Sequence, residues 1–154
     1  MENAQQRLVV TQFGPRAAAY VTSSVHAHGA DLDQLESILR ERPAKAVLDL
    51  GCGGGHASLR AAPLVQHVTA YDLAQPMLAA VAKQAADRGL ANVTTRQGAA
   101  ESLPFADASF DMVLSRYSAH HWSDLGAALR ETRRVLMPGG RAVFGHALYE
   151  GPVL

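Results

Sequence analysis

The chain has 154 residues, with 14 basic side chains balanced by 14 acidic ones and a single cysteine. Zero formal charge gives no electrostatic footing for nucleic acid or a membrane surface, and lone Cys52 excludes an internal disulfide and fits a reducing cytoplasm. No apolar run approaches the roughly 18 residues of a membrane span, and the N-terminus lacks a signal-peptide core, so one cytoplasmic domain is expected.

In chain order, residues 1–29 read as a segment outside the sheet, with Gln12-Phe13-Gly14 and Ala17-Ala18-Ala19-Tyr20 as a short helical arm. Residues 30–42 form an amphipathic helix, with Asp31 as N-cap, Gln34 three residues on, and a stripe of Leu32, Leu35, Ile38 and Leu39. Pro43 stops it. Ala46–Leu50 is a buried parallel strand that breaks into glycines, and a second helix runs from about His56 to Ala62, ended by Pro63. Residues 68–72 are a second strand. The helix after it is opened by Pro76 and closed by Gly89, with Met77, Leu78, Val81 and Ala85 on one face. Residues 92–97 and 110–115 are the third and fourth strands. Ser123 caps a helix that buries Leu125, Leu129, Thr132, Val135 and Leu136, and Pro138-Gly139-Gly140 turns the chain into a fifth strand, residues 141–148.

The chemistry concentrates at Val47-Leu48-Asp49-Leu50-Gly51-Cys52-Gly53-Gly54-Gly55. A dinucleotide fingerprint G-x-G-x-x-G would need glycine at His56 or at Ser58, so a nicotinamide-dependent oxidoreductase is disfavoured. The pattern present is an acid at the strand end, Asp49, followed by Gly51-x-Gly53-x-Gly55. An acid there repels a pyrophosphate and suits a ligand with an amino group, such as S-adenosylmethionine. Asp72, 21 residues after Gly51 at the next strand tip, is placed to take both hydroxyls of a ribose. Asp49 and Asp72 are expected to face one cavity. Cys52 reads as a small side chain within the loop rather than as a nucleophile.

With residues 47–55, 71–78, 98–111 and 131–140 in this order, the chain resembles the class I S-adenosylmethionine-dependent methyltransferases, in particular the type 11 group that includes the ubiquinone/menaquinone C-methyltransferases. The resemblance implies a Rossmann-like, doubly wound α/β sheet of strand order 3-2-1-4-5, divided into an arm (residues 1–29) covering the cofactor site and the cofactor-binding domain (residues 30–154). It implies that Tyr20 faces the sulfonium, a ring–cation contact of roughly 0.5–2 kcal/mol. Packing of the arm explains Tyr20 as well. By the same resemblance the cofactor residues are Asp49, Gly51, Cys52, Gly53, Gly55, Asp72, Leu73, Met77, Ala99, Ala100, Glu101 and Ser115, with Leu73 and Met77 sandwiching the adenine. Ala99 stands where the family usually has an aspartate that accepts from the adenine amino group. The loss of that bond is expected to weaken binding by about 1 kcal/mol without abolishing it.

Residues 116–122, Arg116-Tyr117-Ser118-Ala119-His120-His121-Trp122, follow the fourth strand where acceptor chemistry belongs. They contain neither the Asn/Asp-Pro-Pro-aromatic stretch of amino-methyltransferases nor a Pro-Cys nucleophile. Tyr117, His120 and His121 are the catalytic candidates, with the two histidines unranked, for a small acidic or enolisable acceptor methylated at carbon or oxygen. Positioning alone can supply roughly 7–11 kcal/mol of such a displacement, which leaves one histidine free to shape the loop only. No metal is expected. Relatives of this type continue through two further strands and a substrate-covering region. The resemblance therefore also allows a cofactor-binding but catalytically incomplete domain, whose fifth strand is an open edge able to pair in a homodimer.

Overall fold

A computed structural model describes residues 8–12, 29–116 and 122–146. Six parallel strands form one sheet: β1 (Leu8–Gln12), β2 (Ala46–Leu50), β3 (His67–Asp72), β4 (Val93–Gln97), β5 (Phe110–Arg116) and β6 (Leu136–His146). Their order is β4-β3-β2-β5-β6-β1. Counted from β2, that is the expected 3-2-1-4-5 with a sixth strand added at the far edge. The fold is a Rossmann-like α/β sheet.

The added strand corrects one expectation. Leu8–Gln12 does not lie outside the sheet but pairs with β6 from Leu8↔Ala142 to Gln12↔His146. An open edge presents unpaired N–H and C=O groups, and Leu8 followed by the β-branched Val9, Val10 and Thr11 is a run suited to filling it. The chain thus covers the edge that had been expected to seek a second subunit.

Helices α1 (Ala30–Glu41), α2 (His56–Ala61) and α3 (Gln75–Asp87) pack on one face and α4 (Leu125–Val135) on the other. Leu32, Leu35 and Leu39 of α1 meet Val47, Val68, Met112 and Leu114 of the strands. Beneath α4, Ala128 and Val135 meet Leu48, Leu50, Tyr71 and Val113. Alternation along β2 therefore sends Val47 and Asp49 to the α1–α2 face, and Leu48 and Leu50 to the α4 face.

Caps and ends differ from expectation where tertiary contacts outbid local ones. Gly29, not Asp31, precedes α1, because Asp31 is drawn into an ion pair with Arg116. Asp124, not Ser123, caps α4 by accepting from Ala127 N at 3.0 Å, and Leu125 stays exposed. The helix after the glycine loop is shorter than expected and passes into a 3-10 turn, Ala62–Leu64, around Pro63. Register jumps from Phe110↔Leu136 to Met112↔Arg141, so the Pro-Gly-Gly segment bulges within β6, helped by Gly139 at φ +79°. Among the described residues no helix is long and apolar enough to cross a membrane.

Candidate functional site

The site forms at the carboxyl ends of β2, β3 and β4, where open α/β sheets place ligands. Beyond Leu50 the backbone folds back on β3: Gly51 N and Cys52 N both donate to the Tyr71 carbonyl, at 2.8 and 2.9 Å. Gly53 N donates to Asp72 Oδ2 at 2.9 Å, and Ala74 N donates to Asp72 Oδ1 at 2.9 Å. Asp72 therefore ties the glycine loop to the β3 tip and keeps a further lone pair on each oxygen. Gly55 begins α2 with φ +81°, and a Cβ there would stand 2.5 Å from Val81 Cγ2. Close packing of α2 on α3 is what demands that glycine.

Above this loop lies a cavity of about 360 Å³. Leu50, Gly51, Asp72 and Leu73 form one side of it, and Gly98, Ala99, Ala100 and Glu101 another, with Trp122 and Ser123 at the rim. Tyr71 fixes the second wall: its hydroxyl donates to the Ala99 carbonyl at 2.8 Å. A Cβ on Gly98 would meet the Tyr71 hydroxyl at 2.0 Å, so only glycine lets that ring pass. Leu73 is 65% exposed, a large apolar side chain left bare at the cavity mouth.

Asp49 sits differently from the expectation that both carboxylates face one cavity. It does not line the 360 Å³ space but is 1% exposed, on the α1–α2 face of β2. Ser58 Oγ donates to its Oδ2 at 2.6 Å, and Oδ1 has no partner among the described residues. Burial, then the Asp72 charge, push its carboxyl up to about 7 against the opposing Ser58 hydrogen bond and the Arg116 charge. A buried acceptor left bare costs about 1–3 kcal/mol, and a cationic donor is the partner that would recover most of it. Burial first, then Asp49 and Asp72, raise the Cys52 thiol far above its ordinary value. Buried within the loop, it sits there as a small side chain that favours its protonated form.

The remaining candidates divide. Ala100 is buried against the cavity, while Met77 is half-buried and not on its wall. Ser115 is buried, with its hydroxyl donating to the Leu50 carbonyl at 2.7 Å, so it laces β5 to β2. Glu101 Oε1 accepts from Ser123 N at 2.9 Å, Ser123 Oγ at 3.1 Å and Asp124 N at 3.4 Å. Burial raises its carboxyl, but those donors and its own backbone outweigh burial and hold it below the usual range. It anchors the start of α4. Tyr20, Tyr117, His120 and His121 lie outside the described residues.

Other residues had no role at the site assigned from the sequence. Arg134 of α4 donates to the carbonyls of Leu103 and Phe105, at 2.9 and 2.8 Å, and pairs with Glu131 and Asp107. Glu131 in turn accepts from Leu103 N at 2.8 Å. This holds the segment that continues from the Ala99–Ala100 wall. Ser58 is visible only once α2 is folded over the strand.

A family model for a methyltransferase domain of type 11 matches residues 48–144. The chain belongs to that family. This methyltransferase domain is of the class I, S-adenosylmethionine-dependent kind. It is 41% identical over 145 residues to methyltransferase YcgJ of Bacillus subtilis, covering 94% of this chain and 57% of that protein. It is 38% identical over 145 residues to a malonyl-[acyl-carrier protein] O-methyltransferase of Pseudescherichia vulneris, covering 94% and 55%. The crystal structure of YcgJ matches with a TM-score of 0.72 at 40% identity, over 76% of this chain and 50% of that one. The [4+2]-cyclase SpnF matches with a TM-score of 0.68 at 30% identity, over 88% and 50%. The chain spans about half the length of the curated relatives it matches.

Proposed function

We propose that this methyltransferase domain binds S-adenosylmethionine and transfers its methyl group to a small-molecule acceptor at carbon or oxygen. One observation carries the reading: a buried carboxylate oxygen without a partner among the described residues, Asp49 Oδ1, lies beneath a glycine loop pinned by Asp72 at the edge of a cavity of about 360 Å³. That volume lies within the range of small-molecule sites, roughly 300–1,000 Å³. Bound there, the cofactor supplies a methyl group made electrophilic by the adjoining sulfonium.

The chain's own residues bind and orient. Asp72 offers its spare lone pairs to the ribose hydroxyls. Leu73 and Ala100 flank the adenine, and Ala99 supplies no side-chain acceptor for its amino group. Asp49 takes the ammonium through Oδ1 while Ser58 holds Oδ2. Glu101 lines the cavity, and with Oε1 committed to Ser123 and Asp124 it keeps Oε2 as the side-chain acceptor nearest the missing one. Tyr117 and His120 or His121 follow β5 directly and are the residues assigned to the acceptor, with Tyr20 assigned to the sulfonium. The O-methyltransferase among the relatives favours oxygen as the acceptor atom, and the quinone-type resemblance favours carbon.

Calorimetric titration with S-adenosylmethionine and with NAD tests the cofactor: uptake of the first and not the second is expected, and the reverse would end the reading. An acceptor screen that follows S-adenosylhomocysteine release tests transfer. The second reading is binding without transfer, favoured by the match to SpnF, whose named chemistry is a cyclisation. Tight binding with no release on any acceptor would decide for it.

A further inference from the structure

The carboxyl end of β5 holds a charged pair that the nucleoside cavity does not use. Asp49 of β2 lies opposite Leu114 of β5, and Leu114 faces α1 and α2. By the alternation of a strand, Arg116 stands on that same face two residues further on. Asp31, in the first turn of α1, grips its guanidinium from the side: Nε donates to Oδ2, and Nη2 donates to Oδ1 at 3.0 Å. The Arg116 and Asp31 side chains are only 10% and 5% exposed.

Such a pair is a weak source of stability, because removing both charges from water consumes much of their attraction. What it does well is hold a planar cation in one orientation. The cation it orients is a diagonal neighbour of Asp49, one strand over and two residues along, roughly 8 Å away across the sheet. Its charge reaches Asp49, where it favours the ionised form. One face of the sheet thus carries, at adjacent strand tips, an acid with an oxygen unsatisfied among the described residues and a fixed guanidinium. That arrangement matches a zwitterion, an ammonium and a carboxylate on one carbon, better than it matches either charge alone.

We propose that Arg116, oriented by Asp31, is the counter-charge for the carboxylate at the amino-acid end of the cofactor, and that with Asp49 it forms a two-point clamp on that end. The inference rests on the cofactor reading above. It orients the ligand, with the amino-acid end under the α1–α2 face and the nucleoside in the cavity of Asp72. Asp31 acts through Arg116 and is a positioning residue.

The test compares S-adenosylmethionine with its decarboxylated form, which keeps the nucleoside, sulfonium and ammonium and lacks only the carboxylate. Calorimetric affinities are measured for the unaltered chain, for Arg116→Lys, and for the double variant Asp31→Asn/Arg116→Gln, which removes both buried charges together. Circular dichroism checks each fold. A hydrogen bond between charged groups is worth enough for a tenfold or greater loss. The double variant should therefore lose at least tenfold for S-adenosylmethionine and at most threefold for the decarboxylated ligand, whose ammonium feels only the loss of the Arg116 charge at Asp49. Arg116→Lys, which keeps the charge and a partner for Asp31 but not the fork, should lose in the same selective way, and it carries the test alone should the double variant not fold. Equal losses for the two ligands would reduce Arg116 to a structural role and overturn the proposal, as would no loss at all. An unaltered chain that takes up neither ligand would instead overturn the cofactor reading itself.

Discussion

Asp49→Asn separates what Asp49 costs the fold from what it does for the ligand. Its carboxyl is moved from an ordinary value near 3.8 to about 7, chiefly by burial. A carboxyl that holds its proton more tightly when folded makes the folded state bind more protons than the unfolded one. Stability is then unaffected below about pH 4, falls as pH rises towards 7, and is flat above. The full span is about three pKa steps of 1.36 kcal/mol, or about 4 kcal/mol, of which about 2 kcal/mol falls between pH 5.5 and 8.5. The asparagine variant has no such term. Its amide places a donor where Oδ1 stood, at a cost of about 1–3 kcal/mol that does not vary with pH and cancels in the comparison. Urea unfolding of both proteins at pH 5.5, 7 and 8.5 reads the difference, with the chain's histidines common to both. The unaltered chain should lose about 2 kcal/mol more than the variant from the lowest pH to the highest. Parallel curves within about 0.5 kcal/mol would show that Asp49 is ionised at little cost, and the argument from a strained buried acid would fail. The same proton should govern the ligand: affinity for S-adenosylmethionine should rise from pH 6 to 8 in the unaltered chain by more than in the variant.

Asp72→Ala should lower S-adenosylmethionine affinity at least tenfold, about 1.4 kcal/mol, by calorimetry, and an unchanged affinity would mean the ribose lies elsewhere. Ala99→Asp should restore an acceptor for the adenine amino group and tighten binding by about 1 kcal/mol, roughly fivefold, and a loss of affinity would place the adenine away from residue 99. Gly55→Ala should destabilise the fold by about 1–3 kcal/mol in urea unfolding, since the new Cβ stands 2.5 Å from Val81 Cγ2 at a left-handed φ. Adding Val81→Ala should recover part of that loss, and no recovery would leave backbone conformation as the whole cause.

The positions of the core strands along the chain were legible because each signal is local, whereas their order in the sheet was what the family resemblance implied. Apolar runs of five or six residues followed by glycine or proline mark buried parallel strands wherever they occur, and the residues between them keep a helical period. Asp49, the Gly51-Gly53-Gly55 spacing and Asp72 could be read for the same reason: a βαβ unit carries its ligand contacts within a short stretch. Leu8–Gln12 was missed although its β-branched run is plain, because a strand added from the far end of the chain answers to the open edge of β6 and not to its neighbours in sequence.

Long-range contacts decided the rest. Asp31 reads as a helix cap and becomes the partner of Arg116, 85 residues away, once α1 is folded against β5. Glu101, read as a ligand contact or a capping carboxylate, lines the cavity and through Oε1 also anchors the start of α4. Gly98 is glycine because the Tyr71 ring passes over it, a fact that no spacing reveals. By itself, the sequence determined the family and the places of the two acids that bracket the glycine loop, since these depend on residue types at fixed offsets. The tertiary structure alone decided that those acids lie in different surroundings, one lining an open cavity and one beneath the loop with an oxygen to spare. The physical reason is that burial and partner charges, which set what a carboxylate can do, are properties of packing between strands and helices that the chain brings together only on folding.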